Sequence, residues 1–191
     1  YGSTAESVNL AAVEALLAAV REEAGPQGRI FFGTFPSEVR PEHVTPEALA
    51  VLRRYVHNDN LILGGQSGSD AVLSNSRRGH DVAAIERAVR ACVEGGFEPN
   101  VDFILGLPGE GPGEIAATVS LMDRLSTLGA RVHGHTFMPL PGTPFRDAAP
   151  GDVDPKSRLA LERLAARGHL YGHWKQQLAT ARALATRRDA R

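Results

Sequence analysis

Four short, nearly continuous apolar runs recur along the chain: RIFFGTF (Arg29–Phe35), LILGG (Leu61–Gly65), VDFILGL (Val101–Leu107) and RVHGHTFMPL (Arg131–Leu140). Runs of this length without strict alternation fit strands covered on both faces, the pattern of a parallel sheet. Amphipathic helices fill the intervals. Val13, Leu16, Leu17 and Val20 share one helical face before Gly25, and Thr45-Pro46 caps and opens a second helix. Asp81 opens a third, with Val82, Ile85, Val89 and Val93 on one face and Gly95-Gly96 as its stop. Ile115, Val119, Met122 and Leu125 mark a fourth ending at Gly129, and a last helix begins near Pro155. The order αβαβαβαβα predicts an α/β fold, a parallel sheet wrapped in helices. It is either a doubly wound sheet or part of a β/α barrel, and both gather ligands at the carboxyl ends of their strands.

The four strand exits read GTFPSEVRPE, GGQSGSD, GLPGEGPGE and FMPLPGTPF. Turn chemistry explains any one of them. Four on one rim, with polar Gln66, Ser67 and Ser69 directly after a strand, point to a ligand that approaches backbone closely. The usual phosphate loops are absent: no G-x-x-x-x-G-K-[ST] occurs, and no G-x-G-x-x-G follows the first strand. The balance of 21 basic and 22 acidic residues gives a net charge of −1 and no nucleic-acid or membrane signal. No apolar run approaches the ~20 residues of a membrane helix. A single cysteine, Cys92, excludes an internal disulfide and fits a reducing cytosol, so a cytoplasmic location is expected.

Three of these segments together carry a family resemblance. GGQSGSDAVLSNSRRGH resembles the Gln-Ser…Arg-Gly segment of radical S-adenosylmethionine (radical SAM) enzymes. VDFILGLPGE resembles their fifth-strand D-x-I-x-G-x-P-G-E segment, and HTFMPLPGTPF is similar to their adenine-contacting sixth strand. The likeness runs from about Arg29 to Pro150. GTFPSEVRPE looks most like a branch that often carries an upstream cobalamin-binding domain; the general pattern also resembles methylthiotransferases and oxygen-independent coproporphyrinogen oxidases. The resemblance implies strands three to six of a (β/α)6 partial TIM-like barrel over residues 1–150, with a carboxyl-terminal helical extension over 151–191. S-adenosylmethionine would bind at the strand ends through Gln66, Ser67, Ser69, Arg78, Asp102, Ile104, Gly106, Met138 and Leu140. Within that set, the resemblance implies Gln66 and Asp102 on the ribose and Arg78 on the methionine carboxylate. It puts Ile104, Met138 and Leu140 about the adenine, with Gly106 and Pro108 letting backbone pass close.

The same resemblance implies a 4Fe-4S cluster held by three cysteines in a C-x-x-x-C-x-x-C loop, and this chain has only Cys92, spaced to join the apolar face of Ile85 and Val89. The cluster ligands are therefore expected before Tyr1, in a missing amino-terminal half of the barrel, with Tyr1-Gly2 as the tail of the second strand. That makes the chain the carboxyl portion of a larger enzyme and inactive alone; a degenerate barrel fragment without catalysis is the alternative. A further departure is Gly33, where the oxidases carry an acid, with Glu38 a few residues later. Two other classes stay open. His133 and His135 form an H-x-H on the last strand, able to face one metal in a hydrolase-type barrel. The segment from Arg158 to Arg188 could dock a partner, although Leu159, Leu164, Leu170, Trp174 and Leu178 fit packing on the barrel better. The substrate, the use of cobalamin, and the choice among methyl transfer, methylthiolation and rearrangement are not legible in the residues.

Overall fold

The computed structural model describes residues 8–189. The Tyr1-Gly2 segment, read above as the tail of a preceding strand, lies outside them, as do Ala190 and Arg191. Four strands form one sheet in the order β1-β2-β3-β4: β1 (Asn60–Gln66), β2 (Glu98–Leu105), β3 (Arg131–Thr136) and β4 (Leu170–Tyr171). Every neighbouring pair is parallel. The helices are α1 (Leu10–Ala24), α2 (Pro46–Tyr55), α3 (Asp70–Asn75), α4 (Val82–Glu94), α5 (Pro112–Thr127), α6 (Pro155–Ala166) and α7 (Trp174–Asp189), with a 3-10 turn at Pro41–His43. Thr45 and Asp81 cap α2 and α4 by accepting from Ala48 N and Ala84 N.

Alternation divides the sheet into two chemically different faces. Val101, Phe103, Leu105 and Val132 are fully buried in the main core, which also contains Ile85, Val89 and Cys92 of α4 and Leu121, Met122 and Leu125 of α5. The intervening residues turn to the other, concave face. There Asp102 sits opposite His133, and Ile104 opposite His135, in the β2–β3 register. The acid inside the apolar run thus lies, half-buried, on the face opposite the main core.

Three features differ from the expectation. RIFFGTF is extended but forms no ladder strand: Ile30 N donates to His57 Nδ1 (3.0 Å) and Phe32 N to Asn58 Oδ1 (3.0 Å). Side chains thus supplement the two backbone bonds made there, His57 N to Ile30 O and Ile62 N to Gly33 O (2.8 Å each), and Gly33 breaks the path with φ 67°. Beyond it a single bridge joins Val39 to Leu63. The expected fourth strand stops at Thr136, because the proline-rich FMPLPGTPF cannot continue a ladder. The expected single last helix is two, α6 and α7, separated by β4, which pairs Val132 with Leu170 and His133 with Tyr171. Leu161, Leu164, Trp174 and Leu178 bury into the same core as the sheet, so α6 and the start of α7 join the sheet directly. Leu159 faces solvent, as do Leu16, Val20 and Val93, where α1, α4 and α6 have no covering neighbour among the described residues. Phe35, 85% exposed, and Phe31 line the outer edge near the expected first strand.

Candidate functional site

At the end of β1 the ladder to β2 is irregular, a bulge between Gly64 and Gln66. Gln66 takes φ 68°, left-handed backbone that non-glycine residues rarely adopt. Its side chain is brought back over Gly64. A Cβ on Gly64 would lie 2.7 Å from Gln66 Nε2 and 2.9 Å from Arg78 Nη2, and would collide with Glu38 Oε2. Three polar side chains from three segments therefore share the space over one glycine. Gln66 Nε2 donates to Glu38 Oε2 at 2.8 Å, and Arg78 Nη2 reaches the Gly64 carbonyl at 3.5 Å. Arg78 arrives there by way of α3 and a turn in which Arg77 takes φ 53° and Arg78 N donates to Leu73 O. Arg77 is exposed and Arg78 half-buried.

These groups form one wall of a cleft of about 490 Å³ at the strand ends. Asp102, Ile104 and His135 line it from the sheet, and Met138 and Leu140 from the loop after β3. The structure thus brings Gln66, Arg78, Asp102, Ile104, Met138 and Leu140 together. The other residues of the expected set do not line the cleft. Ser67 is fully buried, Ser69 N donates to Ser67 Oγ, and Gly106 abuts Gly151, whose Cα would lie 2.6 Å from a Cβ on Gly106.

Ser67 and Gly106 belong to a clamp built on Glu110, the acid of GLPGE. Its Oε2 accepts from Gly106 N (2.5 Å) and Leu107 N (3.3 Å), while Oε1 faces Ser67 Oγ (3.2 Å) and Thr118 Oγ1 (3.3 Å). Thr118 Oγ1 also accepts from Gly68 N at 2.8 Å. One carboxylate thus ties the β1 exit, the β2 exit and α5 together. Burial pushes the Glu110 carboxyl above its ordinary range, against the four hydrogen bonds that pull it down.

The H-x-H pair is held differently at each member. His133 Nδ1 lies 3.2 Å from Asp102 Oδ1, and its ring stacks on Tyr171 with centroids 4.6 Å apart and planes 9° apart. His135 meets the edge of His133 at 4.1 Å and has Gln177 Nε2 3.4 Å from its Nδ1. Thr136 N donates to Gln177 Oε1 at 2.9 Å, which fixes the amide so that its NH2 faces His135. Nδ1 of His135 is then the acceptor, and the proton sits on Nε2. Burial, and next the neighbouring His133, hold the His135 imidazole below its ordinary value despite an opposing pull from Asp102. Nitrogen NMR of the imidazoles should therefore find His135 neutral and Nε2-protonated in mildly acidic buffer, where exposed histidines are half charged. A bare Nε2 would contradict this assignment.

The donor atoms of Asp102, His133 and His135 lie within 4.8 Å of one another, a group able to hold a cation. The Asp102–His133 and Gln177–His135 hydrogen bonds already account for their arrangement. Cys92 is fully buried in the α4 face, and burial raises its thiol to about 12. A thiol so far from ionisation does not suit an iron–sulfur ligand, and a cluster needs several. The residues of this chain do not fit a 4Fe-4S cluster.

Sequence reasoning left Glu38 open as a replacement for the acid missing at Gly33 and gave two other cleft or clamp residues no role. Glu38 follows an irregular segment with no periodicity, Gln177 reaches the rim from α7, and the GLPGE acid looked like turn chemistry. Only the last had a readable signal, an acid positioned to fold back on its own loop amides.

Among curated proteins, the chain is 38% identical over 128 residues to tRNA-2-methylthio-N(6)-dimethylallyladenosine synthase of Halorhodospira halophila, covering 66% of this chain and 26% of that protein. The Leptothrix cholodnii enzyme of the same name is 30% identical over 165 residues, covering 85% and 33%. The chain thus spans about a quarter to a third of the length of these relatives. Among solved structures, Escherichia coli coproporphyrinogen III oxidase (HemN), a radical SAM enzyme, superposes with a TM-score of 0.58 at 25% identity, covering 83% of this chain and 37% of that one. The Kitasatospora setae radical SAM methyltransferase TsrM, solved with cobalamin and a [4Fe-4S] cluster, gives 0.54 at 21% identity over 68% and 24%, a likeness of fold alone. The sheet is accordingly part of a radical SAM TIM-like barrel, and nothing in these matches supports a metal-dependent hydrolase. The Radical SAM superfamily profile itself matches residues 4–122, well over half of the 191 residues, and the chain belongs to that superfamily.

Proposed function

We propose that this chain supplies the S-adenosylmethionine-binding wall of a larger radical SAM group-transfer enzyme. The carrying observation is the convergence of Glu38, Gln66 and Arg78 over Gly64, with Asp102 across the same cleft. A carboxylate beside a guanidinium complements the ammonium and carboxylate of an amino acid. The Arg78 fork would take the methionine carboxylate, and Glu38 its ammonium group. Gln66 and Asp102 would take the ribose, an acceptor carboxylate suiting two vicinal hydroxyls. Ile104, Met138 and Leu140 offer the apolar contact an adenine ring needs. The bound cofactor supplies an activated sulfonium for radical or methyl chemistry. The chain's own residues bind and orient it and shield it from water; none is assigned a proton transfer.

The relatives named for methylthiolation of tRNA support group transfer as the reaction class of the whole protein. The GTFPSEVRPE segment favours cobalamin use through a further domain. The cluster would be held by a segment other than this chain, docked along the edge that bears Phe31 and Phe35. Anaerobic reconstitution tests this division of labour. Iron and sulfide added to this chain alone should leave no visible cluster absorbance, whereas the larger protein should acquire it. A stoichiometric cluster on this chain would refute the assignment.

A further inference from the structure

His133 is held by neighbours on several sides, although about a quarter (26%) of its side chain stays exposed. The two-residue strand β4 brings Tyr171 opposite His133 in register, where the two rings stack in nearly parallel planes. Tyr171 is itself tethered, its hydroxyl donating to Asn100 Oδ1 at 3.2 Å. The next residue, Gly172, has φ 107° and no room for a side chain: a Cβ there would lie 2.8 Å from His133 Nε2 and 2.7 Å from the Gly134 carbonyl. His135 meets the ring from another side with its edge. The one polar atom of the ring aimed at a side-chain acceptor is Nδ1, 3.2 Å from Asp102 Oδ1. A carboxylate only accepts, so Nδ1 carries the proton. Asp102 then keeps its second oxygen for the cleft it lines.

We propose that His133 is a positioning residue for the ribose site: locked by Tyr171 and Gly172, its Nδ1–H holds the Asp102 carboxylate in the orientation that accepts from a vicinal diol. The role of β4 follows. It makes the carboxyl-terminal segment part of the binding site, although no residue of β4 lines the cleft. This inference rests on the assignment of Asp102 to the ribose.

The test uses 5′-methylthioadenosine and its 2′,3′-dideoxy analogue as calorimetric probes, since neither carries a carboxylate for Arg78. His133→Ala and His133→Asn both lose the stack on Tyr171, but only asparagine keeps a donor near the position of Nδ1. Methylthioadenosine should bind about tenfold more weakly to His133→Ala, with most of the loss recovered in His133→Asn. The dideoxy analogue should bind wild type and both variants alike. Equal affinities of the two variants for methylthioadenosine would overturn the positioning role, as would an equal loss for both probes. Asp102→Ala separates the two levels. If it weakens methylthioadenosine while His133→Ala does not, only the role of His133 fails. If it leaves methylthioadenosine unaffected, the ribose assignment fails as well.

Discussion

Arg78→Ala should weaken S-adenosylmethionine binding roughly ten- to hundredfold, while Arg77→Ala leaves it unchanged. The expected loss is that of a charge-assisted bidentate contact, about 1.5–3 kcal/mol. The two arginines are adjacent in sequence and opposite in circumstance. Arg77 is exposed in left-handed backbone, whereas Arg78 is half-buried with its guanidinium over Gly64 beside Gln66 and Glu38. Arg78→Lys should recover only part of the loss, because lysine keeps the charge without the planar fork. Methylthioadenosine, lacking the carboxylate, should bind wild type and Arg78→Ala alike. Calorimetric titration reads all of these. Equal S-adenosylmethionine affinity of the two alanine variants would remove Arg78 from the site.

Glu110→Ala should be the most destabilising single change at the rim, by about 3–5 kcal/mol. It would strand the amides of Gly106 and Leu107 and leave the Ser67 and Thr118 hydroxyls without their shared acceptor, inside a loop packed against Gly151. For a chain of this size that is a fall of roughly 6–20 °C in Tm. Glu110→Gln should cost far less. Its carbonyl can take both amides, and its NH2 can donate to the hydroxyls, which reverse direction freely. The pH dependence provides a second reading. Burial raises the folded carboxyl above its unfolded value, so its stabilising contribution is complete below the unfolded pKa and is lost as pH rises through the folded one. Thermal melts across that range should show wild type losing stability relative to Glu110→Gln as pH increases.

The apolar periodicity carried most of the fold. Runs with fully buried alternate residues became β1, β2 and β3, and the capped helices began where Thr45 and Asp81 stand. RIFFGTF has strand composition, yet the side chains of His57 and Asn58 take two of its amides and only two backbone bonds reach it, a tertiary arrangement no local pattern encodes. β4 is two residues long and exists only because β3 offers an open edge, so it has no signal of its own. The cleft residues Gln66, Arg78 and Asp102 were legible because they sit in ordered segments with family motifs. Glu38 was not, because its position depends on an irregular loop crossing β1. The direction of Gln66 was not either, since glutamine has no preference for the left-handed backbone it adopts. Ser67 read as a ligand contact, and its hydroxyl is taken instead by Glu110 and Thr118, residues distant in sequence.

The central claim is that S-adenosylmethionine lies between the β1 exit and β2, and a chemical-shift map tests it most directly. Titration of the isotope-labelled chain with S-adenosylmethionine should move the signals of Gly64, Gln66, Arg78, Asp102 and Ile104, and leave those around Phe31 and Phe35 unmoved. Saturable shifts confined to the Phe31–Phe35 edge, or no saturable shifts in the cleft, would contradict the account.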